Sequence, residues 1–308
     1  MTILAVGTIA YDSVETPAGT SNEQLGGSGV YFSLSASYFS NVTLMGVIGK
    51  DFKGSDISLL KSHKIDTSGI KTSNGNTFRW KANYNDNINN AITLETQLNV
   101  LKNFDPEVNV EQSNSEYLFL ANIDPKLQNK VLDSMSHTLK FSALDTMDFW
   151  INNDIAGLKN IISRVDTLII NESEAKQITD EPNLSKAAIA LSGMGPQIII
   201  IKLGEYGVSL FASGFKFIIP AFPIENIVDP TGAGDSFAGG FMGYLNTCPD
   251  INENALRNAV VCGNVMASFT VEDFGTKKIR SLSMKEILQR FNQFWELTKF
   301  ERDFIKIK

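Results

Sequence analysis

The run Asp229-Pro230-Thr231-Gly232-Ala233-Gly234-Asp235-Ser236-Phe237-Ala238-Gly239-Gly240 decides how the rest of the chain is read. Its small residues let backbone approach a ligand closely, and the apolar residues that follow begin a helix whose first amides lack internal partners. Such a helix start attracts anions, because a phosphate placed there meets several N–H donors and the positive end of the helix dipole. Asp235 is then out of place as a purely structural residue, since a carboxylate beside a phosphate is repelled unless it has work to do. As a general base it would take the proton of an attacking hydroxyl while the amides stabilise charge on the transferred phosphoryl group. The structural alternative makes Asp235 a helix N-terminal acid and Gly232 and Gly234 turn residues. The run by itself leaves both readings open.

Outward from this run, the pattern predicts helices from about Ala233 to Leu245, from about Glu253 to Phe269, and again after Ser283. Strands are predicted near Ile3 to Val6, Val42 to Ile48, Tyr117 to Leu120, Phe141 to Leu144, Thr167 to Ile170 and Ile198 to Ile201, with helices in most of the gaps. The stretches Leu168-Ile169-Ile170 and Ile198-Ile199-Ile200-Ile201 are apolar on both faces, as central strands covered by helices on either side must be. The expected fold is α/β, a doubly wound, mostly parallel sheet flanked by helices, formed by residues 1–308 as one unit. Two segments break the rhythm. Residues 13–25 are polar with Pro17 and Gly19, and residues 70–100 are rich in Asn, Thr and aromatics with strand-like alternation. Phe78, Trp80, Ala82 and Tyr84 fall on one face there, and Thr77, Arg79, Lys81 and Asn83 on the other. These segments are expected to form a small β-sheet lid, the alternative being an edge hairpin of the main sheet.

At 308 residues and 43% hydrophobic content the chain can bury a large core. Its net charge of −7 and scattered basic residues argue against nucleic acid as a partner. Cys248 and Cys262 belong to no C-x-x-C pair and read as reduced thiols, which suits the cytoplasm. Thr2 to Gly7 suits a first strand rather than a secretion signal, and no apolar stretch has the length of a membrane span, so no membrane association is expected. A Walker loop and a dinucleotide fingerprint are both absent, and His63 and His137 lie in no recognisable nucleophile setting.

The run from Asp229 to Phe237 resembles the signature of the ribokinase-like, or PfkB, carbohydrate kinase family. The similarity extends to a first strand ending at Gly7 with Asp12 soon after, a Gly26-Gly27 turn opening a helix, an Asn171-x-x-Glu174 motif and a Lys202-x-Gly204 segment. It implies transfer of the γ-phosphoryl group of ATP, with Mg²⁺, to a hydroxyl of a sugar, polyol or nucleoside. In that likeness Asp235 matches the catalytic base, and Gly232, Ala233 and Gly234 match the anion hole. Asp12, Gly26 and Gly27 match positions that bind acceptor hydroxyls. Asn171 and Glu174 match the motif that places magnesium, through water at Glu174, and the nucleotide phosphates. Lys202 and Gly204 follow a strand where a nucleotide phosphate is the natural partner for a buried ammonium. Asn264 lies on the helix that in the family runs beside the adenine, and Asp229 stands where some members bind K⁺. Asn171 and Glu174 also have the spacing of a capping box. No arginine follows Ala143 to Met147, where some members carry one to order the substrate, which disfavours sugar-phosphate acceptors.

Phe78 and Trp80 are candidate walls of the acceptor pocket if the aromatic face of the lid turns inward. If the opposite face does so, Arg79 and Lys81 bring positive charge instead. The exposed lid edge is expected to pair with its copy in a homodimer. The rival to a kinase is a non-catalytic protein of the same fold that binds a ligand or partner, against which the intact Asp235 argues.

Overall fold

The computed structural model describes residues 2–84 and 91–300. Its strands in chain order are β1 (Thr2–Val6), β2 (Ala10–Thr16), β3 (Gly19–Gly26), β4 (Asn41–Gly49), β5 (Ile65–Asp66), β6 (Ile70–Ser73) and β7 (Phe78–Asn83). There follow β8 (Ile92–Gln97), β9 (Tyr117–Leu120), β10 (Phe141–Leu144), β11 (Thr167–Asn171), β12 (Ile198–Lys202), β13 (Val208–Ala212) and β14 (Phe215–Ile219). The larger sheet runs β14-β13-β12-β11-β10-β9-β1-β4, with β5 and β6 both paired to β4. Its pairings are parallel except for β12 with β13 and β13 with β14.

Alternate residues of the central strands enter opposite layers of the core. Ile3, Ala5, Phe119, Ile169 and Ile200 pack into one cluster with Phe32, Phe241 and Met266 from the helices Ser28–Ala36, Ala233–Leu245 and Glu253–Thr270. Leu4, Val6, Leu118, Leu120, Leu168, Ile170 and Ile199 enter the other, with Val131, Ile161, Ala175 and Leu191 from helices on the far face. A period-two strand that is apolar at every position can bury both faces in this way, and the doubly wound sheet expected from the sequence is what the chain forms.

The smaller sheet runs β3-β2-β7-β8 and is mainly antiparallel, β2 and β7 being its parallel pair. Its boundaries differ from those read in the sequence. β2 begins at Ala10, so Asp12 lies within a lid strand, and β6 at Ile70–Ser73 pairs with Gly46–Gly49 of the larger sheet. Residues 85–90 of the expected lid segment lie outside the described residues. The hairpin β13–β14 has alternating rather than continuous burial in its last strand, as an edge covered on one side does.

Candidate active site

Parallel strands present their C-terminal ends on one edge of the sheet, and ligands of such folds bind there. Here that edge collects Asp145 just after β10, Asn171 and Lys202 at the ends of β11 and β12, and the helix beginning at Ala233. The lid brings Asp12 to the same region.

Gly232 caps the helix Ala233–Leu245 in the left-handed conformation, φ 75°, and a Cβ on it would stand 2.3 Å from the ring of Tyr31. Only glycine fits both demands. Of the expected anion-hole amides, that of Ala233 already closes a turn on the Pro230 carbonyl at 3.2 Å, and Ser236 donates to the Gly232 carbonyl at 2.8 Å. The amides of Gly232, Gly234 and Asp235 have no backbone partner among the described residues and are the donors left at the helix start. Asp235 opens partly onto the cleft. Loss of hydration, with repulsion from Asp145 and Asp12, pushes its carboxyl up to about 7, against the pull of Lys202.

Asp12 is 5% exposed, and its Oδ2 accepts from the Gly27 amide at 3.2 Å. A Cβ at Gly26 would fall 1.9 Å from that oxygen, and Gly27 has φ 93°. The Gly26-Gly27 pair thus makes room for the carboxylate and supplies one donor to it. Burial pushes the Asp12 carboxyl up to about 7, the Gly27 amide opposing and Asp229 reinforcing the rise.

Lys202 has an anionic partner that the sequence reading did not include. Its ammonium lies 3.3 Å from Asp145 Oδ2, a buried carboxylate that supplies a counter-charge within the protein. A Cβ at Gly234 would stand 2.9 Å from Lys202 Nζ, so the ammonium also faces the helix start. Asp145 and the carboxylates of Glu174 and Asp235 hold it above the usual lysine range in spite of burial. Burial in turn raises Asp145.

Asn171 and Glu174 do form a capping box. Asn171 Oδ1 accepts from the Glu174 amide and Glu174 Oε2 from the Asn171 amide, each at 2.8 Å. Glu174 is nevertheless buried, and desolvation followed by repulsion from Asp145 pushes its carboxyl up to about 8. An ordinary surface cap would show neither property. Gly204, φ 59°, opens the turn that carries the chain from β12 into β13. Asn264 uses both ends of its amide on the 220–222 segment, donating to the Pro220 carbonyl at 2.8 Å and accepting from Phe222 N at 3.0 Å. These bonds brace that segment. Asp229 accepts from the amides of Thr231 and Gly275, each at 2.9 Å. Burial still raises its carboxyl, these donors opposing the rise.

The register of the lid settles which residues share a face. Ala10 pairs with Phe78, Asp12 with Trp80 and Val14 with Ala82 across the parallel β2–β7 ladder, so the half-buried Phe78 and Trp80 lie on the face that carries Asp12. Arg79 lies on the other face, its guanidinium bonded to Asp51 at 2.8 Å and Glu23 at 3.0 Å and lying over the Tyr11 ring. The sequence reading did not select Tyr31, Tyr84 or Asp145 as site residues. Tyr84 receives a 3.1 Å hydrogen bond from the hydroxyl of Thr231, joining the lid to the run that begins at Asp229. Asp145 could have been found by its position, since it ends a central strand as Lys202 does. Two surface depressions of about 360 and about 500 Å³ around Asn41 and Lys64 lie at the starts of β1 and β4 and contain none of these groups.

The carboxyls of Asp12, Asp145, Glu174, Asp229 and Asp235, the ammonium of Lys202 and a helix start thus gather in one polar site. The chain is 29% identical over 255 residues to the cytidine kinase of Thermococcus kodakarensis, covering 80% of this chain and 90% of that one. Its fold matches a Burkholderia thailandensis nucleoside kinase solved with inosine, with a TM-score of 0.77 at 17% identity over 96% of this chain and 99% of that one. It matches equally a chain titled a ribokinase II from E. coli, solved with ATP and Mg²⁺, with a TM-score of 0.76 at 15% identity over 96% of this chain and 99% of that one. The family model for pfkB family carbohydrate kinases matches residues 3–281, and the chain belongs to that family.

Proposed function

We propose that the protein transfers the γ-phosphoryl group of ATP to a hydroxyl of a neutral sugar, polyol or nucleoside, with Asp235 as the general base. The observation that carries this reading is the placement of the Asp235 carboxylate at an amide-bearing helix start, with Lys202 against Gly234 on one side and Asp12 on the other. A carboxylate so placed can accept the proton of an acceptor hydroxyl at the moment its oxygen bonds to phosphorus. The amides of Gly234 and Asp235, with Lys202, balance the charge of the transferred group. Asp12 receives hydrogen bonds from other hydroxyls of the acceptor and so orients it. Lid strands β2 and β7 cover the acceptor and keep water from the phosphoryl group.

Glu174 fits a hard divalent cation, being a buried oxygen donor whose carboxyl is raised by burial and then by the charge of Asp145, both of which a cation would offset. Mg²⁺ held through water at Glu174 would supply charge neutralisation to the nucleotide phosphates. The aromatic face beside Asp12 and the likeness to a cytidine kinase over most of both chains support a nucleoside as the first acceptor to try. Outer strand β8, with Ile92 and Leu94 exposed, supports the reading of a lid edge that pairs with its copy. The test is turnover of ATP with Mg²⁺ across a panel of nucleosides, sugars and polyols. Phosphorylated product is expected from at least one, and its absence from all of them would sink the reading.

A further inference from the structure

Tyr31 lies four residues after Gly27, in the helix Ser28–Ala36, and is 1% exposed. Its ring packs against Gly232 at the helix start. Its hydroxyl has no hydrogen-bond partner among the described residues. The groups near enough to act on it are the carboxyls of Asp12, Asp229 and Asp235 and the phenol of Tyr84. A buried hydroxyl without a partner costs stability, and phenylalanine would fill the same space without that cost. Burial, and after it the neighbouring carboxylates, oppose ionisation, so the group stays an O–H donor among acceptors.

We propose that Tyr31 is a specificity-determining residue of the acceptor site, its hydroxyl donating a hydrogen bond to a secondary hydroxyl oxygen of a polyhydroxylated acceptor. The inference rests on the kinase reading above and names the chemistry of its acceptor. A hydroxyl can accept from Tyr31 and donate to a carboxylate such as Asp12 at the same time. A phosphate or carboxylate substituent can only accept, and it would leave Asp12 facing like charge. The alternation of phenol donor and carboxylate acceptor therefore selects neutral hydroxylated ligands and turns away anionic ones.

Tyr31→Phe keeps the ring against Gly232 and removes only the hydroxyl. Cytidine and ribose, each with its 2-deoxy and 3-deoxy form at the sugar, are measured as acceptors with ATP and Mg²⁺ for both proteins. The variant is expected to raise the KM of the fully hydroxylated acceptors about 5- to 10-fold, the worth of one uncharged hydrogen bond. The KM for ATP should hold, and thermal unfolding should come no earlier than in the wild type. With one deoxy form of each pair the two proteins should behave alike, because the hydroxyl that Tyr31 addresses is missing. No penalty, a penalty equal for every acceptor, or one shared by ATP overturns the proposal. A wild type that phosphorylates none of these compounds overturns the kinase reading instead. Calorimetric titration of cytidine and ribose into both proteins still reads the hydroxyl in that case, and equal affinities, or binding to neither, overturn the role of Tyr31.

Discussion

Lys202 Nζ stands 3.3 Å from Asp145 Oδ2 across the ends of β12 and β10, two strands separated by β11. The pair is largely buried, with 19% and 7% of the side chains exposed. Its ammonium is therefore held in place against Gly234 by a carboxylate of the protein itself. The cost of desolvating both charges is offset only while both are present. Under the proposed function Asp145 acts on the phosphate through Lys202, as a positioning residue.

Replacing one member should consequently harm the fold more than replacing both. Asp145→Asn is expected to lower unfolding free energy by about 3 kcal/mol, because a buried ammonium is left without its counter-charge. Asp145→Asn combined with Lys202→Met should recover a good part of that loss while raising the KM for ATP. Urea unfolding of the two variants reads the first effect and steady-state kinetics the second. A double variant no more stable than Asp145→Asn would mean that the pair is not coupled.

The raised carboxyls make stability and activity move in opposite directions with pH. Asp12 and Asp235 sit at about 7 and Glu174 at about 8 in the folded chain, whereas free carboxyls titrate near 4. Between these limits the folded state holds protons that the unfolded state has lost. The stability these groups contribute is complete below about pH 4 and is lost as pH rises through about 7 to 8. The urea midpoint of the ligand-free protein should therefore fall on going from pH 5.5 to about 8.5, and less steeply in Asp235→Asn. The value of kcat/KM should instead rise through about pH 7, where the base ionises. Asp235→Asn should lose about 10²- to 10⁴-fold in turnover while still binding ATP. A folded Asp235→Asn with near-normal turnover removes Asp235 from the chemistry.

Glu174→Gln separates the capping role of this residue from its charge. Glutamine keeps an oxygen for the Asn171 amide, so the start of the helix Glu172–Thr179 should survive and thermal stability should change little. Loss of the carboxylate beside Asp145 should raise the Mg²⁺ concentration needed for half-maximal activity without a matching change in acceptor KM. An unchanged Mg²⁺ dependence would leave Glu174 as a cap alone.

The parts legible in the sequence are those set by local pattern. Tyr117–Leu120 and Ala233–Leu245 keep the boundaries read from their apolar runs, because a continuous run flanked by polar residues has only one way to lie in a covered sheet or a packed helix. The parts that were not legible depend on residues distant in the chain. The partner of Lys202 is set by the order of β10, β11 and β12, which no local window contains. The lid begins three residues earlier than its polar composition suggested, since Ala10 and Tyr11 are buried and read as core in the sequence. Tyr31 reads as one more aromatic in an apolar helix until its hydroxyl is found without a partner.

The lid register bears on what the acceptor carries beyond its reacting hydroxyl. Phe78 and Trp80 share a face with Asp12, while Arg79 is held on the opposite face by Asp51 and Glu23 and Lys81 is exposed. Trp80 Nε1 donates to Thr93 Oγ1 at 3.2 Å, which fixes the indole plane against β8. A flat apolar surface held beside the Asp12 carboxylate suits the face of a sugar ring or a base. Phe78→Ala and Trp80→Ala should each raise the acceptor KM by about 10-fold, in line with loss of an aromatic contact, and leave the KM for ATP nearly unchanged. The effect should be larger for cytidine than for ribose if the ring addressed is the base, and the same for both if it is the sugar. Sedimentation of the same variants checks the alternative use of this face. Variants that bind acceptor normally but sediment at a lower mass than the wild type would assign Phe78 and Trp80 to an interface between copies and remove them from the pocket.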